Sequence, residues 1–227
     1  MNAAPDAKIA LPEPAPKPRF HAADVLRRAE RLKRLGEDVL RQEPDSGDFL
    51  LNPDIAVSLK SRSARDAAVL VPIVSREPEA TVLLTRRTDH LPSHAGQIAF
   101  PGGKIDPDDT GPVAASLREA NEEIGLTSDN VDVLGFGDTY VTGSGYRIVP
   151  VVGLVRPDPD LTVNRDEVAA IFEVPLSFLM DARNHHQGRR TWQGRERKFY
   201  VMPYYEHYIW GVTAGIVRTL YERMYES

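Results

Sequence analysis

The chain has 227 residues, of which 41% are hydrophobic, enough to bury one good core but too few for two ordinary domains. Its net charge of −5 comes from interleaved acidic and basic residues, so no charged region favours nucleic acid as a partner. The sequence contains no cysteine and no apolar run near the roughly 20 residues that span a bilayer, which excludes disulfides and thiolate metal sites and predicts a cytoplasmic protein with no membrane partner.

The N-terminal part of the sequence divides into a tail and a predicted helix. Residues 1–20 carry prolines at positions 5, 12, 14, 16 and 18 among alanines and charged residues, which predicts a flexible tail and differs from the basic start and apolar core of a signal peptide. Between Ala22 and about Gln42, apolar residues recur at near-helical spacing, which predicts an amphipathic helix against the domain. A helix that binds a partner is the alternative. We therefore expect residues 21–227 to form one catalytic domain with an N-terminal helical extension.

Short apolar and β-branched runs predict the strands of a sheet. In chain order they are Ala67–Val74, Thr81–Thr85, Val131–Tyr140, Ile148–Leu154 and Val168–Val174, with a hairpin over Thr191–Tyr204 that turns near Gly194. A turn-like break at Arg76–Glu79 separates the first two strands, and helices are predicted between Gly111 and Gly125 and from about Gly211 to Tyr225. This order favours an α/β fold in which helices pack on the faces of a sheet.

The stretch Phe100–Leu126 reads as the end of a strand, a glycine loop, an acidic turn and then a helix. Gly125 suits the left-handed cap that ends many helices. One face of the predicted helix is apolar and is expected to pack on the sheet: it carries Val113, Leu117, Ala120 and Ile124.

Three glutamates, Glu119, Glu122 and Glu123, fan across an arc of roughly 100° on a different face of this helix. Like charges at this spacing destabilise a helix, and Arg118 can compensate only part of the charge, so convergence of the three requires a cation. Carboxylate oxygens suit Mg²⁺ or Mn²⁺, ions that polarise phosphoryl oxygens and lower the pKa of bound water. A solvated, glutamate-rich helix surface is the alternative.

The same stretch resembles the Nudix box, Gly-x5-Glu-x7-Arg-Glu-U-x-Glu-Glu-x-Gly-U, in which U is aliphatic. Its second half matches from Arg118 to Leu126, and Gly103 fits the opening glycine. Two departures are that Asp109 stands where the first glutamate is expected, and that eight residues rather than seven separate it from Arg118. One extra loop residue leaves the helical spacing of the glutamates unchanged. The resemblance implies a Nudix α/β/α sandwich, with helices on both faces of a mixed sheet.

The resemblance also implies roles for individual residues. A divalent metal would be bound by the side chains of Glu119, Glu122 and Glu123 and by the main-chain carbonyl of Gly103. Arg118 would orient the glutamates by ion pairing. Nudix enzymes often use a further acid from a later loop as a ligand or base, and Glu167 is the first candidate, with Asp166 the second. An exposed acid beside a strand is the alternative for Glu167.

Upstream of the box, Leu83–Gly103 resembles the signature of the coenzyme A diphosphatase branch, Leu-Leu-Thr-x-Arg-Ser followed by Gly-Gln-x-x-Phe-Pro-Gly-Gly, with Thr88 in place of the serine. This implies hydrolysis of coenzyme A or its thioesters to 3′,5′-ADP and 4′-phosphopantetheine or its acyl derivative. The alternatives are a Nudix hydrolase of another nucleoside diphosphate such as ADP-ribose, a catalytically silent nucleotide-binding module and a metal-free interaction protein.

Candidate substrate-binding residues lie in the same upstream segment. Arginine presents a planar fork to phosphate, which favours Arg86 and Arg87, although strand alternation lets only one of them face the site. The set is completed by Gln97, Gly102 and Gly103.

Histidines and oligomeric state are less constrained by the sequence. His90 and His94 are candidate metal or phosphate ligands, with structural hydrogen bonding as the alternative, and His185 and His186 are predicted to lie in a loop. A homodimer is left open.

Overall fold

The computed structural model describes residues 20–36, 38–44, 46–55, 64–91, 94–192 and 194–226. The predicted tail, residues 1–20, therefore lies outside the described residues except at its last position. The helices are α1 (Ala22–Ala29), α2 (Pro112–Ile124), α3 (Leu176–Leu179) and α4 (Val212–Met224), with short 3₁₀ turns at Asp48–Leu50, Pro53–Ile55, Ser128–Asn130 and Ala182–Asn184. The strands are β1 (Ser46–Gly47), β2 (Arg65–Val74), β3 (Thr81–Arg87), β4 (Ile98–Ala99), β5 (Gly102–Lys104), β6 (Val131–Phe136), β7 (Tyr140–Val141), β8 (Tyr146–Val155), β9 (Val168–Pro175), β10 (His186–Trp192), β11 (Arg195–Tyr204) and β12 (His207–Trp210).

Within the described residues, nine strands form a mixed sheet and three form a second, antiparallel sheet, β10-β11-β12. In the large sheet the order is β1-β7-β8-β2-β3-β4, while β5 pairs with β2, β6 with β8 and β9 with β3. Strands β2 and β8 run parallel, whereas β3 runs antiparallel to both β2 and β9. The predicted mixed sheet is confirmed.

Both faces of the large sheet are covered, which confirms the α/β/α sandwich. On one face, Ala120 and Ile124 of α2 pack into a core with Leu70 and Leu83. The other face packs against α3, α4 and the second sheet through a separate core. Alternating residues of the central strands are therefore buried on opposite sides, as expected for strands buried on both faces.

The predicted helix from Ala22 to Gln42 is wrong beyond α1. The backbone N–H of Lys33 donates to the oxygen of Phe136, and the N–H of Phe136 donates back to Lys33, each at 2.9 Å, so this part of the chain pairs with β6. Gly36 then adopts a left-handed φ of 89°. Leu32 and Val39, two of the apolar side chains whose spacing suggested a longer helix, are buried without one, whereas Leu35 is exposed.

The single strand predicted over Val131–Tyr140 is split into β6 and β7. Phe136 pairs with Val151 and Tyr140 with Ile148, so three residues of this segment face only two of β8, and the ladder is interrupted as in a bulge.

The turn of the predicted hairpin is confirmed at Gly194, which has a φ of 74°. The prediction that His186 lies in a loop is wrong, because it pairs with Val201 as the first residue of β10. The hairpin thus begins five residues before Thr191. Among the described residues, no helix is both long enough and apolar enough to cross a membrane.

Helix α2 begins after Gly111, with Pro112 at its first position, and ends at Gly125. Gly125 has a φ of 69°, and a Cβ there would lie 2.8 Å from the backbone nitrogen of Thr162. Gly145 has a similar φ of 85°, but its Cβ would meet no described atom within 4 Å.

We predict that Gly125→Ala destabilises the protein more than Gly145→Ala. Both variants place a side chain in the left-handed region, at a cost of about 1 to 2 kcal/mol. Only Gly125→Ala adds a steric overlap, which we expect to lower the free energy of unfolding by at least about 1 kcal/mol more. Urea denaturation measures both values, and equal losses would show that the Thr162 contact relaxes without cost.

Candidate active site

The glycine turn of β5 lies against the glutamates of α2. Gly103 pairs with Ala68 of β2, and a Cβ on Gly103 would overlap the carboxylate of Glu119. A Cβ on Gly102 would lie 2.6 Å from the Cα of Val69, so this position also requires a close backbone approach. The N–H of Gly102 donates to Oε2 of Glu123 at 3.3 Å. The absence of a side chain at Gly103 thus leaves space for the carboxylate of Glu119, while the backbone N–H of Gly102 contacts that of Glu123.

The three helix glutamates differ in exposure. The side chain of Glu123 is 4% exposed and that of Glu119 is 18% exposed, whereas that of Glu122 is 54% exposed. Glu119 and Glu123 are brought to the glycine turn, and Glu122 lies at the outer edge beside Arg118. Within the described residues, no three acidic, histidine or cysteine side chains form a ready metal-binding group in this arrangement.

Arg118 connects the acidic turn to the helix glutamates. Its Nη1 donates to Glu119 at 3.0 Å and to Glu122 at 3.2 Å. Its Nε and Nη2 donate to the carboxylate of Asp109 at 3.1 and 2.9 Å, and Nη2 also donates to the main-chain oxygen of Lys104. These hydrogen bonds from Arg118 hold the pKa of Asp109 below its usual range.

Asp109 was noted in the sequence only as a departure from the Nudix box, and its role as the partner of Arg118 was missed. The signal was its position, since it aligns with the first glutamate of that pattern.

The surroundings of Glu123 disfavour the charged form of its carboxyl group. Burial raises its pKa to about 7. The charge of Arg87 and the N–H of Gly102 oppose this rise, while the negative charges of Glu119 and Glu167 add to it. Burial likewise raises the pKa of Glu119, and there too Glu167 acts in the same direction, against Arg118. The carboxylate of Glu123, which is buried, and that of Glu119, which is partly buried, are therefore both affected by the charge of Glu167.

The loop that carries Glu167 is tied to the end of β3. The N–H of Thr88 donates to the main-chain oxygen of Glu167 at 2.9 Å, and its hydroxyl donates to the main-chain oxygen of Asp166 at 3.3 Å. Nε2 of His90 lies 3.1 Å from the same oxygen of Asp166. His90 thus contacts the main chain of this loop and not its acidic side chains, which is a structural contact.

The consecutive arginines of β3 lie on opposite faces of the sheet. Nη1 of Arg87 is 3.4 Å from Oε1 of Glu123, while its buried Nε has no hydrogen-bond partner within the described residues. Arg86 is exposed and lines an open cleft of about 620 Å³ together with Gln97. Nδ1 of His94 lies 2.8 Å from Oε1 of Gln97, so His94 contacts a candidate substrate-binding residue.

The second sheet contributes cleft residues that the sequence did not indicate, namely Arg190, Tyr208 and Trp210. No local pattern links these positions to Arg86, which lies about a hundred residues earlier in the chain.

Residues 64–193, which are 130 of the 227, match the family described as NUDIX domain. The chain is 41% identical over 171 residues to a protein of Escherichia coli called uncharacterized Nudix hydrolase NudL, covering 75% of this chain and 88% of that protein. It is 44% identical over 164 residues to a protein of the same name from Yersinia pestis, covering 72% of this chain and 82% of that protein.

Solved structures give weaker likenesses. The C. elegans Ap4A hydrolase binary complex is 20% identical with a TM-score of 0.43, over 49% of this chain and 80% of that one. The NUDIX domain of Shewanella oneidensis NrtR, complexed with ADP ribose, is also 20% identical with a TM-score of 0.40, over 57% and 82% of the two chains. At these scores neither structure carries an inference about this chain.

We predict that Glu123→Gln changes the free energy of unfolding of the metal-free protein in a pH-dependent way. Relative to the parent protein, the variant should be more stable at pH 8 than it is at pH 5. The carboxyl of Glu123 has a folded-state pKa of about 7 against an ordinary value of 4.5, so the folded protein holds a proton that the unfolded chain releases. The free energy of unfolding therefore falls as pH rises from about 4.5 to 7, and the amide removes this loss, which amounts to up to about 3 kcal/mol.

Urea denaturation of both proteins in the presence of a chelator, at pH 5 and pH 8, measures this effect. Glu122→Gln is the matched control, because its side chain is half exposed. It removes a carboxylate from an exposed position of the same helix, so a change seen in both variants would not be specific to the buried site. A pH-independent effect of Glu123→Gln would contradict the prediction.

Proposed function

This chain belongs to the Nudix hydrolase family, and we propose that its substrate is coenzyme A or one of its thioesters. Hydrolysis of a phosphoanhydride bond follows from the family. In our proposal water attacks the diphosphate, and the products are 3′,5′-ADP and 4′-phosphopantetheine or its acyl derivative.

The observation that carries this proposal is the contact between the upstream signature and the glutamates of α2. Leu83–Gly103 holds the pattern that resembles the coenzyme A diphosphatases. Arg87 and Gly102, from the two ends of this segment, both contact the carboxylate of Glu123. The residues that suggest the substrate therefore lie beside those that suggest the chemistry.

The chemistry of the donor set suits a hard divalent cation, Mg²⁺ or Mn²⁺. All of its donors are oxygens, and the carboxyls of Glu119, partly buried, and Glu123, buried, have raised pKa values that a neighbouring cation would lower. We assign metal binding to Glu119, Glu122, Glu123 and the carbonyl of Gly103. When bound, such an ion neutralises charge on the diphosphate and promotes ionisation of water.

The remaining side chains have supporting roles in this proposal. Arg118, held by Asp109, orients Glu119 and Glu122. Glu167, whose charge acts on both buried glutamates, accepts the proton of the attacking water, with Asp166 as the second candidate.

Arg87 is the proposed ligand of the diphosphate. Its Nε is buried without a partner in the described residues, and a buried donor of this kind is stabilised when an anionic oxygen accepts from it. Its contact with Glu123 at 3.4 Å is long for a charged hydrogen bond, which leaves the guanidinium free to bind phosphate as well. Gly102, Gly103 and Gln97 complete the proposed substrate-binding set.

We further propose that residues 21–227 act as one domain. Contacts between α1 and the end of α4 support this: Nη1 of Arg28 donates to the oxygen of Met224 at 3.0 Å. The guanidinium of Arg28 also lies 4.3 Å from the ring centre of Tyr225.

Incubation with coenzyme A and either Mg²⁺ or Mn²⁺, with products separated by mass, tests the proposed substrate. We expect 3′,5′-ADP and 4′-phosphopantetheine. A panel that also contains acetyl-coenzyme A, ADP-ribose and a dinucleoside polyphosphate compares kcat/KM. A higher value for ADP-ribose or the dinucleotide than for either coenzyme A compound would overturn the proposal, as would release of products cut at any other bond.

We predict that Glu122→Gln lowers turnover by orders of magnitude and leaves the fold intact, because it removes a proposed metal ligand from a half-exposed position. Glu30→Gln makes the same chemical change at an exposed residue after α1 and serves as the control. Steady-state kinetics and thermal melting compare the two variants with the parent protein. Near-normal turnover in Glu122→Gln would remove Glu122 from the mechanism.

A further inference from the structure

The open cleft lies between the large sheet and the second sheet. Arg86 of β3 and Ala170 of β9 line one wall, and Arg190, Tyr208 and Trp210 of the second sheet line the other. Strands β11 and β12 follow residue 193, where the NUDIX match ends. Arg190 of β10 lies inside that match, whereas Tyr208 and Trp210 of β12 lie beyond it, so the family match does not extend to the aromatic part of this wall.

Two unpaired positive charges face the cleft. The side chains of Arg86 and Arg190 are exposed, and neither makes a hydrogen bond or ion pair within the described residues. The neighbouring arginines of the second sheet are paired: Arg189 lies 3.9 Å from Glu196, and Arg197 lies 2.8 Å from Asp54. Two guanidinium groups without carboxylate partners in one concave site suit a phosphate group.

One acid, Glu206, also lines the cleft. Its side chain is 80% exposed and its carboxylate lies 3.7 Å from Nε2 of His207, and within the described residues it does not pair with either arginine of the cleft. The charge of the lining remains positive.

Aromatic side chains accompany the two arginines. Tyr208 and Trp210 alternate along β12 with Ile209, which is fully buried on the other side. Tyr208 is 53% exposed, although burial of its ring against protein would be favourable. The ring of Trp210 is held by Phe199, with centroids 5.2 Å apart. A flat aromatic surface beside unpaired arginines has the composition of a site for a phosphorylated nucleoside.

We propose that this cleft binds the phosphorylated nucleoside end of the substrate. Arg86 and Arg190 bind a phosphate monoester that is remote from the bond being cleaved, and Tyr208 and Trp210 contact the base. This assignment rests on the proposed function, under which the monoester is the 3′-phosphate of coenzyme A.

The position of β3 connects the cleft with the candidate active site. Arg86 and Arg87 are consecutive, so their α-carbons are about 3.8 Å apart, and the pairing with β9 shifts register between them. Arg87 contacts Glu123 on one face, and Arg86 lines the cleft on the other. Strand β3 ends at Arg87, and the N–H of Thr88 still donates to the main-chain oxygen of Glu167, so a substrate that passes beyond Thr88 can contact both faces.

Arg190→Gln tests the assignment, with Arg189→Gln as the matched control because the adjacent arginine does not line the cleft. The substrates are coenzyme A and 3′-dephospho-coenzyme A. For Arg190→Gln we expect kcat/KM for coenzyme A to fall about tenfold through KM, a loss typical of one charged hydrogen bond, while the value for the dephosphorylated substrate stays constant. For Arg189→Gln both values should stay constant. Equal effects of Arg190→Gln on the two substrates, or none, would overturn the assignment.

A binding measurement separates this assignment from the proposed reaction. Calorimetry compares adenosine 3′,5′-bisphosphate with adenosine 5′-monophosphate on the parent protein and both arginine variants. We expect the bisphosphate to bind more tightly, and this difference to be reduced in Arg190→Gln but not in Arg189→Gln. If this result is obtained and the protein does not cleave coenzyme A, the cleft is a phosphate site as assigned, but the proposed substrate is wrong. If the protein cleaves coenzyme A but shows no such difference in binding, the proposed substrate is correct and the assignment of the cleft is wrong.

The contribution of the tyrosine is tested in the same assay. Tyr208→Phe retains the ring and should bind the bisphosphate as the parent protein does, whereas Tyr208→Ala should bind it more weakly. Equal binding by both variants would exclude stacking of the base on Tyr208.

Discussion

The close approach of α2 to the glycine turn is the contact on which the candidate site depends. Gly103 leaves space for the carboxylate of Glu119, and the N–H of Gly102 holds Glu123 in a position that is almost fully buried. The apolar face of α2 provides the free energy that maintains this approach, because Ala120 and Ile124 are completely buried against the sheet. Packing on one side of the helix thus keeps its acidic side in an unfavourable environment.

Two arginines compensate part of that acidic charge from opposite directions. Arg118 reaches Glu119 and Glu122 from the acidic turn, and Arg87 reaches Glu123 from β3. The compensation is incomplete, since the pKa of both buried glutamates remains raised and the charge of Glu167 adds to the repulsion. Stored repulsion of this kind lowers stability but increases the affinity of the site for a cation, which links folding to ligand binding.

Local patterns predicted α2 well because its signals lie within its own sequence. The spacing of Ala120 and Ile124 specified the buried face, and the left-handed conformation of Gly125 specified the end. The end of α1 could not be predicted in this way, since Leu32 has helical spacing but the chain leaves the helix to pair Lys33 with Phe136, about a hundred residues away. The cleft was missed for the same reason: its walls come from strands that are brought together only by tertiary packing.

The two faces of β3 suggest how a common reaction acquires a particular substrate. Helix α2 and the residues around it match a family pattern, and a pattern shared by many hydrolases cannot by itself select one diphosphate. Selection requires contacts with parts of the substrate that do not react, and differences in such contacts change kcat/KM without altering the chemistry. The second sheet lies mostly beyond the family match and places unpaired arginines and exposed aromatic rings near the end of β3. In our assignment it therefore supplies recognition on one face, while the glutamates on the other face supply the reaction.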